Sequence, residues 1–341
     1  MAGTEVTNRQ ILFKNFVVGW PQESDMEFVT TKKKLELREG QKDVIVRVLY
    51  LSCDPCQRGR MRNSTDSYIP PYTPGKPIEG YGLGKVILSS DPAFNEGDIV
   101  SGLMGWEDYS YGFRLVKIDD LALPISYYLG ALGMAGFTAY VGFFRICEPK
   151  KGDTIYVSAA SGAVGQMVGQ FAKLFGCRVV GSAGSQQKVD LLTSKFGYDE
   201  AFNYKEEPDL DAALKRCCPD GIDIYFENVG GKMLDAVLVN MKVFGRIAVC
   251  GMVSQYNKEV QDPIYNLNYT VKRRLKIHGF LQSDHMDVQP EFFKNVIQWF
   301  KEGKLVYVED IADGLEKGPA ALIGLLAGKN VGKQSVKVAD P

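Results

Sequence analysis

From Thr154 onward, the sequence alternates between short apolar segments and stretches with helical periodicity. Six of the apolar segments have the length and composition of buried strands, namely 154–158, 178–182, 200–203, 222–227, 246–250 and 275–280. Between the first two, apolar residues recur at helical spacing, and Gly176 stands where a helix C-terminal cap is expected. Such alternation of strands and helices predicts a doubly wound parallel sheet, and therefore an α/β fold.

The first third of the chain has a different character, with many glycines, prolines and short β-branched runs. Its predicted strands are 44–50, 84–88 and 98–100. The proline-rich segment 70–77 excludes a helix, and we expect the basic run 32–34 in a solvated turn. Residues 290–341 hold two helical patterns and a terminal strand, 334–338. A small all-β unit is therefore expected before the parallel sheet.

Size and composition limit the possible classes of protein. A chain of 341 residues is long enough for two domains, and its net charge of −1 gives no general attraction to nucleic acid or to an anionic membrane. We expect a cytoplasmic protein, because residues 1–9 are polar and no apolar run approaches the roughly 20 residues of a spanning helix. Seven irregularly spaced cysteines favour reduced thiols over a disulfide framework.

The segment from Ser158 to Gly165 joins the first predicted strand of the sheet to its first helix. It has the form A-x-x-G-x-x-G, a variant of the dinucleotide fingerprint in which Ala159 replaces the first glycine. Gly162 would let the backbone approach a pyrophosphate, and Gly165 would let the helix pack closely on the sheet. The positive end of the helix dipole would hold the phosphates. This position in the fold predicts a dinucleotide site.

The residue at the end of the second strand indicates whether the site prefers NAD or NADP. A site that prefers NAD carries an acidic residue there, which binds the ribose hydroxyls. Residues 178–185 offer no acid at that end, and Lys188 follows one helical turn later. A serine and a lysine would attract the 2′-phosphate that an acid would repel, so we predict NADPH as the cofactor.

Zinc ligands are scarce in this sequence. Its two histidines, His278 and His285, both lie late in the chain, and Cys53 and Cys56 form a single C-x-x-C without a second pair. We therefore predict no metal. Without one, reduction of a carbonyl loses its usual Lewis acid, whereas a hydrogen-bond donor can stabilise the enolate formed when a conjugated alkene is reduced.

Several segments carry a resemblance to a known family. They are Gly162 with its neighbours, 230–235 (GGKMLD), 246–252 (RIAVCGM) and 254–257 (SQYN). These segments resemble the plant NADPH-dependent double-bond reductases, also called 2-alkenal reductases. That family belongs to the zinc-independent part of the medium-chain dehydrogenase/reductase superfamily and is related to the prostaglandin reductases. The resemblance extends over nearly the whole chain, from 51 to 332.

The resemblance implies an architecture and an activity. It implies a GroES-like, mostly β catalytic domain formed by 1–125 and 291–341, around an inserted Rossmann domain, 126–290. It also implies a homodimer. The expected reaction is NADPH-dependent reduction of the carbon–carbon double bond of α,β-unsaturated aldehydes or ketones, with hydride added at the β-carbon and a proton at the α-carbon.

The resemblance also implies which residues line the cofactor. The 2′-phosphate would lie near Gly184, Lys188 and Tyr204. The pyrophosphate would lie over Ala160, Gly162, Ala163, Val164 and Gly165. Asn228, Cys250, Ser254 and Tyr256 would follow along the cofactor, and its nicotinamide end would be flanked by Pro55, Met134, Thr138, Phe280, Leu281 and Asn330.

Three residues are candidates for contact with the substrate. Tyr256 is the candidate catalytic proton donor, because a phenol with a pKa near 10 is protonated at neutral pH; alternatively, water or a ribose hydroxyl supplies the proton and Tyr256 only contacts substrate. Tyr81 occupies the place of a metal-binding His-Glu pair in zinc-dependent relatives, and faces either substrate or the core. Cys56 stands where the family usually has a tyrosine, which leaves the preferred size of substrate open.

Two other classes of function stay possible at this stage. One is an NADPH-dependent allylic alcohol dehydrogenase or a quinone reductase, which would share the fold and the cofactor. The other is a non-catalytic NADPH-binding redox sensor, which would keep the glycine turn without needing Tyr256 or Tyr81.

Overall fold

The computed structural model describes residues 4–341, which form two compact units. Unit 1 contains the chain up to Gly133 together with Glu309–Pro341, and unit 2 is Met134–Val308. The chain passes between units somewhat later than the domain limits expected at 125/126 and 290/291, which stay a prediction. None of the helices in the described range is long and apolar enough to cross a membrane.

Unit 1 is mostly β. Its first part comprises β1 (Thr4–Phe13), β2 (Met26–Leu35), β3 (Val44–Ser52), the short helix α1 (Gln57–Arg60), β4 (Glu79–Ser89), β5 (Ile99–Gly105), β6 (Tyr109–Tyr111) and β7 (Phe113–Lys117).

Unit 2 alternates strands and helices. It comprises α2 (Met134–Tyr140), β8 (Thr154–Val157), α3 (Gly165–Phe175), β9 (Arg178–Ala183), α4 (Gln186–Ser194), β10 (Glu200–Asn203), α5 (Leu210–Cys217), β11 (Ile222–Glu227), α6 (Gly231–Asn240), β12 (Met241–Val249), α7 (Tyr269–Arg273), β13 (Lys276–Gly279) and α8 (Gln289–Lys301). The chain then returns to unit 1 with β14 (Glu309–Asp313), α9 (Gly318–Leu326) and β15 (Lys333–Lys337).

Seven of the nine described strands of unit 1 form one sheet in the order β14-β15-β3-β4-β5-β7, with β6 paired to β3, and β1 and β2 form a separate two-stranded sheet. This confirms the all-β character and the three strands expected early in the chain. The hairpin of β1 and β2 was not predicted, and the basic run 32–34 lies within β2 rather than in a turn. Lysines are stable there because the strand has an exposed face, and because Lys33 pairs with Glu107 at 2.9 Å.

The sheet of unit 2 is parallel throughout and has the strand order β10-β9-β8-β11-β12-β13. All six predicted strands are present, and the predicted doubly wound α/β fold is confirmed. The order reverses between β8 and β11, and ligands of such sheets bind in the crevice at the carboxyl ends of the strands at that point. Strand β12 begins earlier than expected, because Met241 already pairs with Ile222 before an irregularity in the register.

Helix α3 and the neighbouring strand β9 each contribute a glycine that makes room for an aromatic ring. The buried ring of Tyr198 packs between Gly169 of α3 and Gly181 of β9, and its hydroxyl donates to the carbonyl oxygen of Gly165 at 2.8 Å. A Cβ at Gly169 would lie 2.1 Å from Cε2 of Tyr198. The C-terminal cap predicted at Gly176 is present, with a left-handed φ of 94°.

We predict opposite effects of one substitution in two helices. Gly169→Ala should lower the free energy of unfolding by about 1–3 kcal/mol, because the new methyl group would displace the ring of Tyr198. Gly324→Ala in α9 should raise it by about 0.5–1 kcal/mol, since the nearest atom to a Cβ there is 4.0 Å away. Urea unfolding measures both, and equal effects would contradict the close packing at Tyr198.

Candidate functional site

The turn predicted to bind phosphate connects β8 to α3 in the structure, as expected. Its first small residue, Ala159, has a φ of 48°, in the left-handed region that favours glycine. A non-glycine residue held there costs about 1–3 kcal/mol. The turn is kept in this conformation in part by the N–H of Ala160, which donates to the carbonyl oxygen of Ser182 at 2.9 Å.

The two glycines of the turn have different surroundings. A Cβ at Gly165 would lie 2.6 Å from both the carbonyl oxygen of Ala159 and the Cα of Ala160, so this glycine is required by packing within the protein. A Cβ at Gly162 would meet a single atom within 4 Å, the carbonyl oxygen of Ala159 at 3.3 Å. The chain itself therefore does not fill the space beside Gly162, and this backbone can accommodate a pyrophosphate at the N-terminus of α3.

No carboxylate follows the end of the second strand, β9. Gly184 lies against Tyr204 and Lys205, because a Cβ there would be 3.2 Å from the Tyr204 hydroxyl and 3.2 Å from Cε of Lys205. Lys188 is in the first turn of α4 and is only 8% exposed, so it is not an ordinary surface lysine. The ammonium groups of Lys188 and Lys205 and the hydroxyl of Tyr204 fit the 2′-phosphate of NADPH. Lys205 was missed in the sequence, although it directly follows Tyr204.

The segment after β11 lies beside the phosphate-binding turn, and the segment after β12 lies beside the segment after β11. Asn228 donates through Nδ2 to the carbonyl oxygen of Ser158 at 2.8 Å, and through its backbone N–H to the Ser158 hydroxyl at 3.0 Å. Ser254 donates through its hydroxyl to the carbonyl oxygen of Val229 at 2.6 Å. Cys250 directly follows β12 and is half-buried. The structure thus brings Asn228, Ser254 and the glycine turn to one edge of the sheet.

Tyr256 is half-buried at the end of a short 3₁₀ turn, Val253–Gln255. Its hydroxyl oxygen accepts a hydrogen bond from the N–H of Met252 at 3.2 Å. A tyrosine hydroxyl can donate a hydrogen bond as well as accept one. The local geometry is therefore compatible with a proton-donating phenol.

The remaining predicted cofactor residues of unit 2 lie in two places. Met134 and Thr138 are in α2, where the Thr138 hydroxyl donates to the carbonyl oxygen of Met134 at 2.7 Å. Phe280 follows β13 and meets Phe226 edge-on, with ring centroids 6.3 Å apart. Leu281 comes next and precedes a 3₁₀ segment, Gln282–Val288. Thr138 already uses its hydroxyl proton within its own helix, so its hydroxyl is better placed to accept than to donate.

The four predicted site residues of unit 1 belong to three segments. Pro55 and Cys56 lie between β3 and α1, Tyr81 is in β4, and Asn330 precedes β15. Tyr81 is half-buried rather than enclosed in the core. Asn330 is 9% exposed and donates through Nδ2 to the carbonyl oxygen of Gly332 at 2.7 Å.

A buried lysine that the sequence did not indicate supports the segment before Pro55. The Nζ atom of Lys333 donates to the Ser52 hydroxyl at 2.6 Å, to the carbonyl oxygen of Cys53 at 2.7 Å, and to Asp54 at 3.1 Å. Lys333 is only 2% exposed. It therefore ties the start of β15 to the end of β3.

All seven cysteines are free thiols, as expected. Five of them are buried and two, Cys56 and Cys250, are half-buried. Burial raises the pKa of Cys53 and of Cys56 to about 12. Across residues 4–341, no group of three or more His, Cys, Asp or Glu side chains is arranged to hold a metal ion.

Comparisons with known proteins place this geometry in a family. Residues 9–114 match the family described as the N-terminal domain of oxidoreductase, and residues 163–302 match the one described as zinc-binding dehydrogenase. A 2-alkenal reductase (NADP(+)-dependent) of Nicotiana tabacum is 60% identical over 338 residues, which cover 98% of each chain. The (+)-pulegone reductase of Mentha piperita is 49% identical and covers 98% of this chain and 99% of its own.

A solved structure supports the same placement. The crystal structure of CurA in complex with NADPH, from Vibrio vulnificus, is 37% identical and superposes with a TM-score of 0.89 over 98% of this chain and 100% of that one. Both the sequence and the fold match from end to end. This chain therefore belongs to the NADP-dependent double-bond reductases of the medium-chain dehydrogenase/reductase superfamily.

Proposed function

We propose that this chain uses NADPH to reduce the carbon–carbon double bond of α,β-unsaturated aldehydes and ketones. Two observations together support this proposal. The chain has a glycine turn and a carboxylate-free, cationic end of β9. It is also 60% identical to an NADP(+)-dependent 2-alkenal reductase. The substrates named for the relatives, an alkenal and pulegone, belong to this chemical class. When bound, NADPH supplies the hydride that adds to the β-carbon.

The residues of unit 2 would hold the cofactor by three kinds of contact. Lys188 and Tyr204 beside Gly184 bind the 2′-phosphate, with Lys205 as a third contact. The backbone from Ala160 to Gly165 binds the pyrophosphate at the N-terminus of α3. Further contacts come from Asn228, Cys250, Ser254, Met134, Thr138, Phe280 and Leu281 of the same unit, and the cofactor contacts expected of Pro55 and Asn330 stay predictions.

Tyr256 is the catalytic residue of this proposal. As hydride arrives at the β-carbon, negative charge develops on the carbonyl oxygen of the substrate. The Tyr256 hydroxyl donates a hydrogen bond to that oxygen and so stabilises the enolate, and the α-carbon is then protonated by Tyr256 or by water. The substrate contacts expected of Tyr81 and Cys56 stay predictions. The N–H of Met252 donates to the Tyr256 oxygen and so holds the phenol in its loop.

The activity is tested by incubating the enzyme with small enals, cinnamaldehyde-type enals and enones, with NADPH or NADH as reductant. We expect saturated carbonyl products and a clear preference for NADPH. Product identification by mass spectrometry and NMR separates the possible reactions. Formation of unsaturated alcohols would instead indicate an allylic alcohol dehydrogenase, turnover of quinones alone would indicate a quinone reductase, and NADPH binding without any product would indicate a sensor.

Substitution Tyr256→Phe should lower kcat at least tenfold, about 1.4 kcal/mol of barrier, because it removes the proton donor and keeps the ring. The affinity for NADPH should change little. Tyr265→Phe is the matched control, since Tyr265 is 80% exposed further along the same chain segment. An unchanged kcat in Tyr256→Phe would assign the proton to water or to the ribose hydroxyl.

We also infer that the protein is a homodimer, formed through the edge of the sheet in unit 2. Strand β13 pairs with β12 at the end of the strand order, and all four of its residues are exposed. Apolar side chains are exposed close to this edge, including Phe244 at 68%, over which the guanidinium of Arg274 lies at 4.9 Å. An unprotected edge with apolar neighbours favours pairing with a second strand, and a second copy of β13 has matching length and composition.

Sedimentation velocity should give twice the chain mass of 37.8 kDa for the wild-type protein. Ile277→Lys in β13 should give monomers, because two copies of the new charge would face each other across the two-fold axis. Val116→Lys, which also replaces an exposed apolar residue of a strand, should stay dimeric. A monomeric wild type, or a dimeric Ile277→Lys variant, would contradict this interface.

A further inference from the structure

Glu227 is a fully buried carboxylate at the carboxyl end of β11, 0% exposed. It stands where the strand order of the parallel sheet reverses, next to the end of β8. Buried carboxylates are rare unless nearby donors satisfy them, because burial removes the hydration of the charge. The hydrogen bonds of Glu227 therefore indicate what this residue does.

One oxygen of Glu227 collects four donors. Oε1 accepts from the N–H of Val229 at 2.5 Å, from the N–H of Gly230 at 2.8 Å, from the Tyr225 hydroxyl at 2.8 Å and from the Ser158 hydroxyl at 3.3 Å. The two N–H groups belong to the loop that leads into α6, and Ser158 begins the phosphate-binding turn. A single atom thus joins two loops that approach the cofactor from neighbouring strands.

The backbone of Glu227 joins a third loop to the same point. Its carbonyl oxygen accepts from the N–H of Cys250 at 2.9 Å and from the N–H of Gly251 at 3.1 Å. Those residues begin the loop that carries Ser254 and Tyr256. The turn after β8 and the loop after β11 therefore meet at the carboxylate of Glu227, and the loop after β12 meets the backbone of the same residue.

A neutral side chain would not replace this carboxylate. Within residues 4–341, the second oxygen, Oε2, is buried and has no hydrogen-bond partner. A glutamine would put a buried NH₂ group in that place without an acceptor and would weaken the bonds to Oε1, since hydrogen bonds to a charged acceptor are stronger. Burial raises the pKa of Glu227, and the N–H groups of Gly230 and Val229 oppose that rise.

We propose that Glu227 is a positioning residue whose carboxylate sets the phosphate-binding turn and the loop after β11 at the centre of the sheet, so that losing its charge weakens NADPH binding. The inference rests on the proposed function only for the identity of the ligand. It makes Glu227 a determinant of cofactor affinity although the side chain itself would not touch the cofactor.

The test compares Glu227→Gln with a matched control at the other end of the same strand. Asp223 in β11 accepts hydrogen bonds from the Thr154 N–H at 2.9 Å and from Lys242 at 2.7 Å. Asp223→Asn therefore disturbs the same sheet away from the three loops. NADPH affinity is measured without substrate by fluorescence titration, and stability by thermal unfolding.

Glu227→Gln should raise the Kd for NADPH at least tenfold and the KM for NADPH in parallel, while the KM for the enal at saturating NADPH stays within twofold. Asp223→Asn should lower the melting temperature and leave the Kd for NADPH within twofold. If Glu227→Gln does not fold, Ser158→Ala decides, because it deletes the hydroxyl through which the turn meets both Oε1 and the N–H of Asn228; its Kd should rise about threefold or more.

An unchanged Kd in Glu227→Gln, or in Ser158→Ala, overturns the proposal. An equal loss of affinity in Asp223→Asn also overturns it, since the effect would then reflect the stability of the sheet. A wild-type protein that binds NADPH but reduces no enal overturns the proposed function and leaves this inference standing. A wild-type protein that binds no NADPH overturns both.

Discussion

The ring of Tyr198, packed against two glycines, sets how closely α3 lies on the sheet of unit 2. The hydroxyl of the same residue donates to the carbonyl oxygen of Gly165, so Tyr198 also contacts the first turn of α3. Gly165 in turn lies against Ala159 and Ala160 with no room for a Cβ. The shape of the phosphate-binding turn is therefore a consequence of core packing, and the left-handed backbone of Ala159 is tolerated because its neighbours fix it.

The fold of unit 2 could be predicted because its signals are local. Apolar periodicity and glycine caps, such as Gly176 with its positive φ, identify each strand and helix without knowledge of the rest of the chain. The hairpin of unit 1 was missed because it lacks such a local signal. The run 32–34 is polar, and it is a strand only because β1 lies beside it and Glu107 neutralises Lys33. Partners distant in sequence leave no periodic signal.

The candidate site likewise contains residues that could be predicted from the sequence and residues that could not. The glycine turn and the missing acid after β9 were visible as motifs, and the structure brings Gly184 and Tyr204 together as the resemblance implied. Lys333 and Glu227 could not be recognised from sequence. Each owes its surroundings to residues far along the chain, since Lys333 meets Ser52 and Glu227 meets Ser158. The role of a buried charged residue can be recognised only when the structure shows which groups form hydrogen bonds with it.

The buried thiols have a consequence for a protein that handles enals. An α,β-unsaturated aldehyde is an electrophile toward thiolates, and the thiolate rather than the thiol is the reactive form. Burial raises the pKa of the five buried cysteines, to about 12 for Cys53, Cys147 and Cys218 and to about 11 for Cys177, with that of Cys217 also raised. At neutral pH these sulfurs stay protonated. The fold thereby protects most of its own nucleophiles from alkylation by the substrate that it consumes.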